Sequence, residues 1–254
     1  MSNPILETKN LGIDFGGLTA VNKLNLTVEN NQIVGLIGPN GAGKTTVFNL
    51  LTKVYNPTRG EIYLCGNSIN KLSTVEVNKS GISRTFQNIR LFSNMSVIDN
   101  VKVAMNNKHQ HSIFDVFLHT KKYHKHESEI TTKAEELLKV FNLFDQKDLQ
   151  ANSLPYGAQR RLEIARALAT DPTILLLDEP AAGMNPQETD ELMKTIRFVR
   201  DNFNISILLI EHDMSLVMGI CEKIYVLNYG MLLAEGSPDE VKNNPDVIKA
   251  YLGD

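Results

Sequence analysis

The sequence is poor in cysteine: Cys65 and Cys221 are its only two, far apart and in no CxxC or Cys/His spacing. That excludes a disulfide scaffold and a zinc site, and points to small core hydrophobes in a reducing compartment. Charge of one sign is also scarce. The 26 Lys+Arg against 29 Asp+Glu leave a net charge of −3, which excludes general electrostatic capture of nucleic acid or anionic lipid, though not a local basic patch. Long apolar runs are missing. Residues 205–210 are among the longest, whereas a membrane-spanning helix needs about 20 such residues. The opening Met1-Ser2-Asn3-Pro4 has no basic segment leading into an apolar one, so no secretory leader is expected. Repeats, low-complexity tracts and Pro/Gly/Ser linkers are lacking too, and no separate regulatory domain is expected. Together these absences predict a cytoplasmic protein, or one held at a membrane only through an embedded partner.

What is present suits a soluble globular chain. Its 254 residues, 42% hydrophobic and 22% charged, are enough for one large domain or two small ones at roughly 150 residues per domain. Residues 5–9, 24–28 and 61–64 carry alternating or β-rich apolar residues broken by Gly and Asn, which predicts antiparallel strands. Three segments, 33–37, 174–177 and 205–210, are almost continuously aliphatic. Such runs suit strands buried on both faces, as in a parallel sheet covered by helices, and the intervening helical segments give an α/β pattern.

Between Asn88 and Asn152 the character changes. Residues 96–106 and 127–143 show helical spacing, for instance Ile130, Ala134, Leu137, Leu138 and Phe141, and predict an inserted helical subdomain. Residues 224–227, the turn Asn228-Tyr229-Gly230 and residues 231–234 read as a β-hairpin, followed by short helices near 238–243 and 246–252. Of the six histidines, His109, His111, His119, His124 and His126 fall in the insert beside several lysines. Two HxH pairs on a polar stretch read as a solvated face rather than a metal site.

Three strand ends carry the chemistry. After Ile37 comes Gly38-Pro39-Asn40-Gly41-Ala42-Gly43-Lys44-Thr45, which matches GxxxxGK[ST]. Glycines let backbone N–H groups wrap a phosphate, Lys44 reaches the β- and γ-phosphates, and Thr45 offers a hydroxyl to Mg²⁺; Thr46 belongs to the same candidate nucleotide-binding set. The second aliphatic run ends in Asp178-Glu179. Asp178 there completes a Mg²⁺ shell, and Glu179 is placed to polarise an attacking water, which favours hydrolysis over transfer to a small molecule. The third run ends in Glu211-His212-Asp213. In an open parallel sheet these carboxyl ends share one edge, which would set His212 beside the γ-phosphate with Lys44 and Glu179.

In order, the phosphate loop, Thr85-Phe86-Gln87-Asn88, Leu154-Pro155-Tyr156-Gly157-Ala158-Gln159, the Asp178-Glu179 pair and His212 resemble the motif set of ABC transporter ATPases, across essentially the whole chain. The resemblance implies a P-loop NTPase fold of the ABC ATPase type. Its parts would be a RecA-like mixed sheet core and antiparallel β subdomain (1–87 and 153–254) and an inserted helical subdomain (88–152). It implies ATP and Mg²⁺ as cofactors. Gln87 is then the Q-loop residue that contacts the metal and water, residues 154–159 are the signature that caps the γ-phosphate bound to the opposite subunit, and Phe15 is the aromatic that stacks on adenine. Ala182, Gly183, Met184 and Asn185 are the D-loop at the dimer seam.

Two departures stand out. Pro155 replaces the Ser of the usual LSGGQ signature and Tyr156 its first Gly, so no Ser contact to the γ-phosphate exists here. Asn185 stands where Asp is usual, which removes a charge from the seam. Both suit a heterodimer with unequal ATP sites. Finer likeness, in residues 84–92, 156–166, 178–186, 211–218 and 244–253, is similar to the LivG-type ATP-binding subunit of branched-chain amino acid importers. It implies a second ATPase of the LivF type (or a second copy), transmembrane permease subunits, an external solute-binding protein, no nucleic acid, and a place on the cytoplasmic face of the inner membrane. Urea/amide importers and the lipopolysaccharide-export ATPase carry close relatives, and stay open as alternatives. A non-transport ABC protein fits less well, since the insert is too short for a long coiled coil and only one ATPase unit is present.

Overall fold

The aliphatic runs become the middle strands of a six-stranded sheet in the computed structural model, which describes residues 4–105 and 121–252. They are β3 (Ile33–Ile37), β7 (Ile174–Asp178) and β8 (Ser206–Ile210), and every residue in them is buried. With β6 (Ile82–Arg84), β9 (Lys223–Asn228) and β10 (Met231–Gly236) the order is β10-β9-β3-β8-β7-β6. All neighbours pair parallel except the β9–β10 hairpin. The carboxyl ends of β3, β6, β7 and β8 therefore emerge on one edge. The strand β6 had no signal in the sequence, because three residues are too few to show a period.

A second, antiparallel sheet of order β2-β1-β4-β5 is built from β1 (Leu6–Phe15), β2 (Leu18–Val28), β4 (Arg59–Leu64) and β5 (Asn67–Ser68). Its inward residues, among them Leu6, Leu11 and Leu24, join Leu36, Leu176 and Leu208 of the first sheet and Val47 and Phe48 of helix α1 (Lys44–Leu51) in one apolar cluster. Full burial of each such side chain contributes about 2 kcal/mol. That cluster fixes α1, and with it the loop preceding α1, against both sheets.

By its internal contacts the chain forms two compact units, residues 1–87 with 173–254, and residues 88–172. The first unit also holds α2 (Thr74–Ser80). The second contains α3 (Val97–Met105), α4 (Lys121–Val140) and α5 (Tyr156–Leu168). The helical insert expected at 88–152 lies inside this unit, which continues through α5. The periodic residues Ile130, Ala134, Leu137, Leu138 and Phe141 are all buried. Of the insert's histidines, His109, His111 and His119 lie outside the described residues, as do the side chains of His124 and His126. The first unit is completed by α6 (Pro186–Phe203), α7 (Met214–Ile220), α8 (Pro238–Lys242) and α9 (Pro245–Leu252).

The two cysteines differ, which corrects the reading of both as core residues. Cys221 is buried, and burial pushes its thiol up to about 12. Cys65 is exposed, because it sits at φ 49 in the turn between β4 and β5. Among the described residues no helix is long and apolar enough to cross a membrane.

Candidate active site

The loop after β3 turns on glycine. Gly38 has φ 149, and a Cβ there would stand 2.1 Å from the Leu227 carbonyl oxygen, so a side chain cannot be carried where the loop leaves the sheet. Gly43, at φ 105, caps α1, and its Cβ would meet the Ala20 carbonyl oxygen at 2.8 Å. Lys44 is nearly buried and folds its Nζ back to donate to the carbonyl oxygens of Gly38 at 2.6 Å and Pro39 at 3.0 Å. Burial pulls its pKa below the ordinary lysine value, while Glu179 and Asp178 pull it back up. A desolvated ammonium of this kind gains from an anion brought to it. Residues 40–46 line a cavity of about 350 Å³ together with Leu18, Ala20, Glu179, Tyr229 and Gly230.

On the same sheet edge as that loop, the end of β7 is acidic. Asp178 ends β7 almost fully buried, and its Oδ2 accepts from Arg84 Nη2 at 2.7 Å. The same guanidinium donates to Asn49 Oδ1 at 2.7 Å and lies 5.4 Å and 5.3 Å from the ring centres of Phe48 and Phe86. The Asp178 N–H donates to Thr85 Oγ1 at 3.3 Å. Arg84 and Thr85 enter the sequence reading only within the stretches that carry the family resemblance, with no role at the site assigned to either. An arginine in a three-residue strand carries no pattern, and its partner is 94 positions away.

Glu179 stands at the meeting point. Its backbone is left-handed, φ 46, a conformation costing about 1–2 kcal/mol for a residue with a side chain. It is held there by its N–H to the Ile210 carbonyl oxygen at 2.9 Å and by the Ala182 N–H, which donates to its carbonyl oxygen at 3.2 Å. The turn throws the carboxylate toward the loop cavity. Gln87 Nε2 donates to Glu179 Oε2 at 2.7 Å, and His212 Nδ1 lies 3.7 Å from the same oxygen. So Glu179 and His212, expected from the strand ends to share one site, and Gln87, expected only from the family resemblance, meet at one carboxylate oxygen. His212 keeps a largely exposed side chain.

The donor set suits Mg²⁺. Asp178 and Thr45 offer oxygen only, the preference of a hard cation. Among the described residues no cluster of three or more His, Cys, Asp and Glu could hold a metal by itself.

The remaining expected residues lie elsewhere. Phe15 is not among the residues lining the cavity; it is half-exposed at the end of β1 and meets the edge of Tyr55 with ring centres 5.2 Å apart. Residues 154–159 belong to the second unit. There Pro155 is the N-cap of α5, with no side-chain cap bond, and Gln159 Nε2 donates to the Leu154 carbonyl oxygen at 2.8 Å. Leu154, Gly157 and Ala158 are buried and Tyr156 is half-exposed. In the loop 182–185, Asn185 caps α6: its Oδ1 accepts from the Glu188 N–H at 3.0 Å and its N–H donates to Glu188 Oε2 at 2.9 Å. Asn and Asp serve equally as such caps, so Asn185 has a local role as the cap of α6 besides its expected place at the seam.

A phosphate-cradling loop after a buried parallel strand, with a carboxylate pair at the next strand but one, defines a P-loop NTPase. The chain belongs to the ABC transporter family, as one of its ATP-binding, ATP-hydrolysing cassettes. The family model for "ABC transporter" matches residues 21–182, and that for "Branched-chain amino acid ATP-binding cassette transporter" matches residues 231–254. The chain is 50% identical over its whole length, and that of the relative, to the high-affinity branched-chain amino acid transport ATP-binding protein LivG of Escherichia coli K12. It is 49% identical over the whole of both chains to the corresponding protein BraF of Pseudomonas aeruginosa. Among solved structures, the ADP conformation of an ATP-binding cassette of an ABC transporter superposes with a TM-score of 0.86 at 29% identity, covering 99% of this chain and 100% of the other.

Proposed function

We propose that this chain is the ATP-hydrolysing subunit that energises import of branched-chain amino acids. The observation that carries hydrolysis is the Glu179 carboxylate, turned to the loop cavity and touched by Gln87 at 2.7 Å. Residues 38–46 bind the phosphates of ATP, with Lys44 exchanging its bonds to the Gly38 and Pro39 carbonyls for phosphate oxygens. Asp178, Thr45 and Gln87 hold Mg²⁺, which when bound supplies neutralisation of the phosphate charge. Glu179 accepts the proton of the attacking water, a role worth roughly 10²–10⁴ in rate. Gln87 fixes the orientation of that carboxylate, and His212 donates a hydrogen bond toward the terminal phosphate. Phe15 stacks on the adenine.

Residues 154–159 cap the nucleotide of a partner ATPase, and 182–185 lie at the seam with it. The partner is a LivF-type subunit or a second copy, and the pair works with membrane permeases on the cytoplasmic face of the inner membrane, supplied by an external solute-binding protein. The full-length likeness to LivG and BraF supports the solute class. Loss of the signature Ser hydroxyl at Pro155 supports two unequal ATP sites; equal turnover in the two single-site catalytic variants of the assembled pair would overturn that point.

The test is phosphate release and uptake of labelled leucine by membrane vesicles containing the complex that co-purifies with this chain. Both are expected to need this chain and to be lost in Glu179→Gln. ATP turnover without leucine uptake would sink the solute assignment, and turnover that survives in Glu179→Gln would sink the assignment of the base.

A further inference from the structure

The residue before His212 is a nearly fully buried carboxylate that the mechanism above does not use. Glu211 Oε1 accepts from the Ala181 N–H at 2.7 Å, and its Oε2 accepts from the N–H groups of His212 at 3.0 Å and Asp213 at 3.3 Å. One oxygen thus holds the start of the loop 182–185 and the other holds the backbone that carries His212. Buried anions persist where backbone N–H donors surround them, and a carboxylate satisfied by three of them is a rigid strut between two segments rather than a surface charge. Residues 181 and 211 follow neighbouring parallel strands, β7 and β8.

Resting on the hydrolase reading, we propose that Glu211 is a positioning residue that couples the loop 182–185 to His212, so that the imidazole's place beside Glu179 follows that loop. The chain of contacts is short. Ala181 is followed by Ala182, whose N–H donates to the Glu179 carbonyl oxygen at 3.2 Å, and Met184 closes the turn with its N–H on the Ala181 carbonyl oxygen at 3.0 Å. A shift of the loop moves the Ala181 N–H, the carboxylate follows it, and the second carboxylate oxygen pulls the His212 amide. The Glu211 side chain is nearly fully buried and is held by backbone N–H groups. On this proposal its effect reaches the reaction through His212, whose Nδ1 stands 3.7 Å from Glu179 Oε2; the bond from Ala182 to the Glu179 carbonyl is the competing route that the double variant tests.

Glu211→Gln tests this with little change of shape. The amide keeps one acceptor oxygen and turns an NH₂ toward the other N–H, so it cannot hold both segments. In the assembled complex the variant is expected to keep the KM for ATP within about twofold while kcat falls about tenfold or more, the size of effect that a slightly misplaced group produces. The second arm is the double variant with His212→Ala. Because Glu211 acts through His212, the double variant is expected to turn over no more slowly than His212→Ala alone. A wild-type kcat in Glu211→Gln, or multiplied losses in the double variant, would overturn the proposal. Glu211→Asp, which keeps the charge and shortens the strut, is the companion; it is expected to fold and to lose kcat in the same way. If neither substitution folds, Glu211 is a core stabiliser and the proposal fails. The outcome is separate from the hydrolase reading, which stands or falls with Glu179→Gln.

Discussion

The Arg84 guanidinium donates to Asp178 Oδ2 at 2.7 Å, an ion pair at the ends of two neighbouring parallel strands with both side chains almost withdrawn from water. A buried pair broken on one side leaves an uncompensated charge, which costs about 3–5 kcal/mol. Arg84→Met should therefore lower the unfolding free energy of the nucleotide-free chain, read from its urea titration, by roughly that amount. Adding Asp178→Asn should recover part of the loss, since the two changes share one interaction. Equal midpoints for wild type and Arg84→Met would mean the pair contributes nothing.

Glu179 holds a left-handed backbone, φ 46, that glycine adopts freely. Glu179→Gly should relieve about 1 kcal/mol of strain and raise the melting temperature while abolishing phosphate release. Such opposite effects are expected where strain is kept for function. A variant no more stable than wild type would show that the turn is strain-free.

Burial raises the Glu211 carboxyl above the usual carboxylate range; the Ala181, Asp213 and His212 N–H groups and the His212 ring lower it without cancelling that effect. Cys221 also faces it, and Glu211 contributes to the raised pKa of that thiol. The sign follows. A proton is held more tightly by Glu211 in the folded chain than in the unfolded one. The associated stability is full below the unfolded carboxylate value and is lost as pH rises through the raised folded value. Urea midpoints measured from pH 4 upward, on the order of the carboxylate range and above it, should fall over that window in wild type. They should fall less in Glu211→Gln, and a parallel pair of profiles would contradict the assignment.

Asn185 and Glu188 form a reciprocal cap at the start of α6. Asn185→Asp should leave stability within about 0.5 kcal/mol, whereas Asn185→Ala should cost about 1 kcal/mol. Thermal unfolding distinguishes the two. If Asn185→Ala costs nothing, the residue belongs to the dimer seam alone.

Much of the site was legible before any coordinates. The strands β3, β7 and β8 are continuous aliphatic runs, and residues that follow such runs must gather at one edge of a parallel sheet, so Lys44, Asp178, Glu179 and His212 were readable together. Gln87 was readable only through likeness to a family, because the strand that precedes it, Ile82–Arg84, has three residues. Phe15 was placed by the same likeness, yet its ring rests on Tyr55 and is not among the residues lining the cavity.

The sequence by itself determined the strand interiors, the glycine loop and which polar residues follow which strand, because period, run length and turn chemistry are local properties. Tertiary structure alone decided that Arg84 would neutralise Asp178, that Glu179 would take a left-handed turn, and that Glu211 would bond both Ala181 and His212. Each of these depends on which strands become neighbours. Pairing between segments up to 94 positions apart leaves no trace in the spacing of either one.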